Sequence, residues 1–465
     1  MRKLILSLAA TPLILGSIVV SAQAADDVAT GAAAPAASGF DILSDVKFKA
    51  QIRPRYEYKD NQGSKLDAGS TVTNRTNLNL TGTLLEVDGL VGTIEVNSVN
   101  DFNTLNQPNS QTAAEKDVAK MTQANISYTV AGVTGIVGRK TLNLDNQRFI
   151  GSVGWKQNFQ TLDLAALAYG AGDFSIIGAY VYGVNAIADD GFGTRNMVYT
   201  GGITSGSTTS AAVNASYKVA DPFKITGYAY LLGSYSDTYG IAATGNIAAS
   251  DSMKFNYRAE YAMQTGSSLE EVDGLKGDKS LAQNAMYFNL DLGANFSGIL
   301  AGLNYEYLGG RSLTETDAKV GTFQTPLATK HKFNGWADQF LGTPTGGLQD
   351  MNARLGYKAD GLGKLIFVYH KFNSAEDMSA SGTAAGTSTA KSNDLGQEID
   401  VAYSNKIPGV TGLTGLIKSA YYMGGDVEQG IAKNDAGIPI AKPAKTWSND
   451  QTLVWLQLDY KFATK

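Results

Sequence analysis

From Val46 onward the chain repeats with a period of two. Val46, Phe48, Ala50, Ile52, Pro54, Tyr56 and Tyr58 alternate with Lys47, Lys49, Gln51, Arg53, Arg55 and Glu57, and the pattern returns around 254–264, 286–296 and 454–462. An apolar face opposite a polar face along each segment specifies β-strands. A soluble sandwich would hide its apolar faces between two sheets, whereas here the second face carries charges and amides throughout. Connections alternate between short (86–89, 131–132, 220–222, 296–298, 358–361) and long (59–71, 99–119, 140–158, 184–208, 309–347, 373–394, 425–447). This predicts an all-β fold, a transmembrane antiparallel β-barrel with short periplasmic turns and long extracellular loops. Tyr58, Tyr128, Tyr217, Tyr307, Tyr357, Tyr403 and Tyr460 fall near strand ends, where interfacial girdles form. About 17 segments can be placed and a bacterial barrel needs an even number, so about 16–18 strands are expected. The stretch between Met263 and Ala285 is the place where a strand is hidden or misplaced.

The N-terminus predicts export. Arg2 and Lys3 precede an apolar run from Leu4 to Val20, broken by Pro12 and Gly16, and Ala22-Gln23-Ala24 reads as a cleavage site. Residues 1–24 are therefore expected to be a signal peptide. Residues 25–45, rich in Ala, Gly, Pro and Ser, read as a leader, and 46–465 as the barrel. Cleavage after Ala24 removes two of 38 basic side chains and none of the 43 acidic ones, leaving a net charge of −7. An acidic exported chain is a poor candidate for nucleic-acid binding. No later segment has enough consecutive apolar residues to span a bilayer as a helix.

Bond-making chemistry is poorly served. There is no cysteine, so no disulfide or thiolate site, and His331 and His370 stand without a nucleophile at a recognisable spacing. The loop acids do not form an alternating calcium-ligand pattern, and no zinc, phosphate-loop or dinucleotide spacing occurs. The expectation is a protein that is not an enzyme and needs no cofactor or metal.

Three stretches carry a family resemblance. Residues 323–350, running from Phe323 through Lys330-His331-Lys332-Phe333-Asn334-Gly335-Trp336-Ala337-Asp338 to Asp350, resemble a signature of the alginate-export family of outer-membrane porins. Gly138-Arg139 through Arg148, Gly151, Trp155 and Asp163 looks like that family's Gly-Arg…Arg…Gly…Trp…Asp segment. Tyr257-Arg258-Ala259-Glu260-Tyr261 with Tyr305-Glu306-Tyr307, followed by Tyr369-His370-Lys371-Phe372 and Leu395 to Asp400, fits its paired strand motifs. Three positions depart: Lys140 replaces an expected glutamine, Lys330 stands where leucine is commoner, and Ala463-Thr464-Lys465 runs past the terminal aromatic Phe462. The resemblance implies an outer-membrane porin, in its strongest form for uronate polysaccharides or oligomers and equally for small organic acids or as a general porin, surrounded by outer-membrane lipid and inserted by the barrel assembly machinery.

Transport through a barrel requires a water-filled lumen, a constriction and wall charges. Strand parity turns Lys47, Lys49, Arg53, Arg55, Arg75, Lys218, Lys224, Lys254, Arg258, Arg354 and Lys461 inward. The inward acids are Glu57, Glu95, Glu260, Asp291, Glu306, Glu398, Asp400 and Asp459, and Arg139 is assigned to the same wall. A basic excess favours anionic small molecules or oligosaccharides. Pairs such as Arg55/Glu57 and Arg258/Glu260 read equally well as struts. The 309–347 segment, with Phe323, Leu327, Phe333, Trp336 and Phe340, is too apolar for a solvated loop. Folded inward it narrows the lumen and brings Arg311, Lys330, His331, Lys332 and Asp338 onto the path. The expected function is passive diffusion of hydrophilic anions. The rival is a plugged structural or adhesive surface barrel, and a homo-oligomer fits either.

Overall fold

A computed structural model describes residues 42–102, 110–111, 117–187, 206–233, 235–269, 284–311, 321–380, 391–428 and 447–464. The expected signal peptide, the leader up to residue 41 and much of the 263–285 stretch lie outside them. Eighteen antiparallel strands form a single closed wall. In chain order they begin with β1 (Leu43–Asn61), β2 (Gly69–Leu84), β3 (Leu90–Asp101), β4 (Val118–Val130), β5 (Val133–Lys140) and β6 (Thr161–Ala171). Next come β7 (Phe174–Asn185), β8 (Gly206–Ala220), β9 (Phe223–Leu232), β10 (Ser236–Ala248), β11 (Met253–Gly266) and β12 (Ala285–Phe296). Then follow β13 (Ile299–Leu308), β14 (Leu348–Ala359), β15 (Gly363–Ala380), β16 (Lys391–Lys406), β17 (Leu413–Met423) and the C-terminal strand Gln451–Ala463. The C-terminal strand pairs with both β17 and β1, from Lys49↔Ala463 to Asn61↔Gln451, and so closes the ring. A two-residue strand, Val427–Glu428, pairs only with the far end of β15.

The strand count resolves the ambiguity left by spacing. β11 and β12 pair directly, from Met253↔Phe296 to Gln264↔Ala285, so the wall is complete without a strand between them. What upsets counting from loop lengths is the connection between β9 and β10. It lies on the long-loop side yet spans only residues 233–235. The first strand starts at Leu43, ahead of the expected boundary, and an irregularity between Ser44 and Lys47 separates that start from the regular ladder.

Two-residue turns set the short rim. Ala131-Gly132 and Ser297-Gly298 have both residues at positive φ (48° and 79°, 48° and 90°), the geometry whose twist matches that of paired strands. Outside the wall, Leu167, Leu303 and Leu355 are 65 %, 62 % and 59 % exposed, as lipid-facing positions of a barrel are. The buried apolar cluster lies inside the ring instead. It joins inward residues such as Leu162, Leu164, Tyr287 and Phe372 to Leu142, Leu144, Phe149, Phe323, Leu327 and Phe340 from two long loops. Among the described residues the only helical turn is a 3-10 turn at Lys330–Lys332, within the second of these loops.

Candidate functional site

The described part of the 309–347 loop runs inside the barrel. Its apolar residues explain why: Phe323 and Leu327 are 0 % and 1 % exposed, and burying each stabilises by about 1.5–3 kcal/mol. Phe323 stacks on Tyr287 at 5.4 Å, and Phe340 packs on Phe372 at 4.5 Å. The tip is pinned to wall carboxylates. Asn334 Nδ2 donates to Glu306 Oε2 (2.5 Å) and Asp350 Oδ2 (3.3 Å), and the Ala337 amide donates to Glu398 Oε1 (2.7 Å). Gly335, at φ 81°, has no alternative here, since a Cβ would lie 2.4 Å from Glu398 Oε2. Gln451 on the closing strand donates to the Ala337 carbonyl (2.8 Å) and accepts from Gln339 (2.9 Å).

A second loop, 141–160, is also inside, and the two are joined. Gly151 N donates to the Leu327 carbonyl (2.9 Å), and Thr329 N donates to the Gln147 carbonyl (3.0 Å). Arg148, 3 % exposed, spans both: it donates to Glu306 on β13 (2.6 and 3.2 Å), to Thr325 (2.9 Å) and to Asn334 (3.1 Å). The spacing of connections did not single this loop out. The signal was its own apolar content, Leu142, Leu144, Phe149, Ile150, Val153, Trp155 and Phe159 within twenty residues.

The wall arginines serve this insertion. Arg53 donates to the carbonyls of Gly154 (3.2 Å), Trp155 (3.2 Å) and Lys156 (2.6 Å) and to Gln157 Oε1 (2.8 Å). Arg55 donates to the Trp155 carbonyl (2.6 Å) and Gln457 (2.9 Å), lies 4.1 Å from the Trp155 ring centroid and is 3.8 Å from Glu57. Arg75 sits over Phe159 at 4.7 Å. Arg258 pairs with Glu260 (2.8 Å) and with Asp145 of the inserted loop, while Tyr228 donates to Glu260 (2.7 Å). Arg354 is bidentate to Asp291 at 2.6 and 2.8 Å. These side chains face inward but act as struts and loop anchors.

Arg139 departs from its expected place on the lumen wall. It shares a face of β5 with Val137, 53 % exposed, and its bidentate partner Asp163 shares one of β6 with Leu167, 65 % exposed. Inward Ile136 and the parity of the strand turn Arg139 to the outer surface. Lys254 is inward and exposed near the short-turn rim, and Arg311 lies at the base of the loop, its amide bonded to the Thr345 carbonyl (2.8 Å).

The loop's ionisable groups form a connected set. Lys418 on β17 lies 4.0 Å from the ring centroids of both Trp155 and Trp336 and 5.2 Å from that of Trp455. Its Nζ donates to His331 Nε2 (2.6 Å), and a neutral imidazole then donates from Nδ1 to Asp338 Oδ1 (2.7 Å). Lys156 lies 3.4 Å from Asp338 Oδ2. The His331 ring is stacked on Trp155 at 4.8 Å. Burial, aided by Lys418, lowers the His331 pKa to about 3, which keeps the imidazole neutral. Burial raises the Asp338 pKa, but its cationic neighbours outweigh this and hold it below the usual carboxylate range. Lys332 donates to the Asn146 carbonyl (2.9 Å). Lys330 has no side-chain partner among the described residues, and burial beside Arg148 lowers its pKa to about 8.

The chain matches the alginate export family over residues 44–434. No curated protein matches it by sequence. Its fold is similar to crystal structures of OccAB2 from Acinetobacter baumannii (TM-score 0.67, 11 % identity, 92 % of this chain and 100 % of that one). It is also similar to OpdO from Pseudomonas aeruginosa (TM-score 0.62, 12 % identity, 91 % and 99 %). OccK8 (OprE) from the same organism gives a TM-score of 0.62 at 13 % identity, covering 90 % and 99 %.

Proposed function

The chain belongs to the alginate export family, as an outer-membrane barrel of the porin type, and we propose that it passes hydrophilic anions by passive diffusion through a lumen narrowed by both inserted loops. The observation that carries this reading is Lys330. The arginines around it are held by carboxylates or loop carbonyls, whereas Lys330 keeps an amine without a side-chain partner among the described residues. In a narrow, poorly hydrated passage such an ammonium attracts a carboxylate more strongly than it would in water. The family's name points to uronate chains, and small organic acids suit the same chemistry.

The test is the reversal potential of the purified protein in a planar bilayer under a salt gradient, with and without oligouronate. Anion preference with block by the oligomer is expected. Because Lys330 is charged below about pH 8 and neutral above it, anion preference should decline between pH 7 and 9.5. That decline should be absent in Lys330→Leu. Cation preference at neutral pH defeats the reading, and the absence of any current favours the plugged barrel.

A further inference from the structure

The outer wall carries a recess on the seam that closes the ring. Tyr56 on β1 pairs with Leu456 of the closing strand, Leu456 with Ile417 on β17, and Ile417 with Tyr403 on β16. These four side chains form one raised row across the lipid-facing surface. The next row toward the short-turn rim, Pro54, Leu458, Gly415 and Asn405, is low. Gly415 leaves its floor bare: a Cβ there would lie 3.3 Å from the Ile407 side chain and 3.9 Å from that of Leu458. The resulting groove holds about 440 Å³ and is lined almost wholly by carbon. From Val72 on β2 to Asn405 on β16 it crosses five adjacent strands, a span of about 19 Å. Arg55 and Gln457 back it, with their side chains bonded to each other on the inner face. The same place is where the seam is least paired. The ladder between β1 and the closing strand lapses from Ile52↔Tyr460 to Arg55↔Gln457, where Pro54 has no N–H to donate.

We propose that one acyl chain of a phospholipid occupies this groove as a resident ligand and packs the closing seam from outside. Ile417, Leu456 and Leu458 are exposed and make the groove continuous with the lipid-facing surface, so hydrocarbon fills it rather than water. A slot this narrow leaves its lining short of dispersion contacts unless a chain of matching width lies along it. An unbranched methylene chain has that width. A second copy would instead present a convex wall and would need roughly 1,000 Å² of matched surface to hold. The foot of the groove identifies the source. Asn405 and Ile407 stand at the short-turn rim, which faces the periplasm, and the leaflet on that side is glycerophospholipid rather than lipopolysaccharide. Polar groups there are already engaged: Tyr403 donates to the Leu362 carbonyl (3.0 Å) and Asn405 to that of Gly361 (3.0 Å). The chain therefore meets their apolar parts. Lying across β1 and the closing strand where their ladder lapses, it strengthens closure of the ring. The groove is outside the lumen, and its occupant is independent of the solute that passes.

The experiment is native mass spectrometry of the detergent-purified barrel with added phosphatidylethanolamine, alongside its melting temperature. The wild type is expected to retain one lipid and to melt higher when it does. Gly415→Phe lays a ring in the groove, on a backbone whose φ is not positive. It should weaken retention about tenfold and abolish the lipid-dependent rise in melting temperature. Ala301→Phe, on the exposed outer face of β13, should change neither. Folding of both variants is verified by heat-modifiable gel mobility. Should Gly415→Phe fail to fold, the wild type is labelled with a phospholipid carrying a photoreactive acyl chain. Label is then expected to concentrate at Tyr56, Ile407 and Leu456 over Leu303 and Leu355. Equal retention by Gly415→Phe and the wild type, or even labelling of the whole wall, would overturn the site. Retention of lipopolysaccharide but not of phospholipid would overturn the assigned ligand.

Discussion

Glu306→Ala is expected to free both inserted loops at once and to raise single-channel conductance while lowering the melting temperature. Four donor contacts converge on this carboxylate: Arg148 through two nitrogens (2.6 and 3.2 Å), Tyr287 Oη (2.8 Å) and Asn334 Nδ2 (2.5 Å). Two of the partners come from different loops, and the third lies on the adjacent strand β12. Truncation leaves the Arg148 guanidinium buried without its counter-charge, a defect that costs about 3–5 kcal/mol. The chain escapes that cost by letting 141–160 and 321–347 leave the lumen, where Arg148 regains water. Glu306→Gln keeps an acceptor for Arg148 but loses the charge, and should fall between the two. Single-channel recording checks the claim, and a Glu306→Ala channel with wild-type conductance would mean that the apolar packing alone seats the loops.

Acid should also unseat the 321–347 loop, through His331. The folded-state pKa of this imidazole lies near 3, below the ordinary value of 6.5. Its contribution to the seat is therefore complete above pH 6.5 and is lost progressively as pH falls from there toward 3. The physical cause is visible in the contacts. A protonated His331 has no lone pair for the Lys418 ammonium at 2.6 Å and confronts it with a second positive charge. Asp338 offsets part of this, but Lys156 competes for the same carboxylate. Conductance is expected to rise on acidification from pH 7 to 4.5. Asp350 and Glu398 are carboxylates that also hold the loop tip, so a control is needed. Lys418→Met removes the repulsion and should blunt the acid response while the carboxylates remain. An equal response in both proteins would assign it to the carboxylates instead.

Strand alternation was readable because water and lipid impose opposite demands on successive side chains, and the wall follows it nearly everywhere. The inward course of 321–347 was readable for a related reason, since Phe323, Leu327 and Phe340 have no stable place in solvent. What parity cannot reveal is a partner. Parity puts Arg53 and Arg55 on the inner face, but what they do there is set by carbonyls about a hundred residues away in sequence. Sequence reading left struts and selectivity level for Arg258 and Glu260, and their mutual contact at 2.8 Å favours struts. Lys418 gave no local signal at all, because its three tryptophans come from two loops and the closing strand. Arg139 is misplaced by sequence because Ile136 and Val137 are both apolar, and only their burial (6 % against 53 % exposed) decides which face points inward.

The chain has four tryptophans, Trp155, Trp336, Trp447 and Trp455. Trp155 and Trp336 ride on the inserted loops, Trp455 projects inward from the closing strand, and Trp447 packs on Phe340. Barrels commonly place such residues in their interfacial belts, but here the exposed aromatics of the outer surface, such as Tyr128, Tyr217, Tyr357, Phe296 and Phe367, are tyrosines and phenylalanines. Indole emission from this protein will thus be nearly silent about contact with lipid. A blue shift during refolding would time the moment when the interior fills, and quenching by acrylamide from the aqueous side would measure how firmly it stays filled.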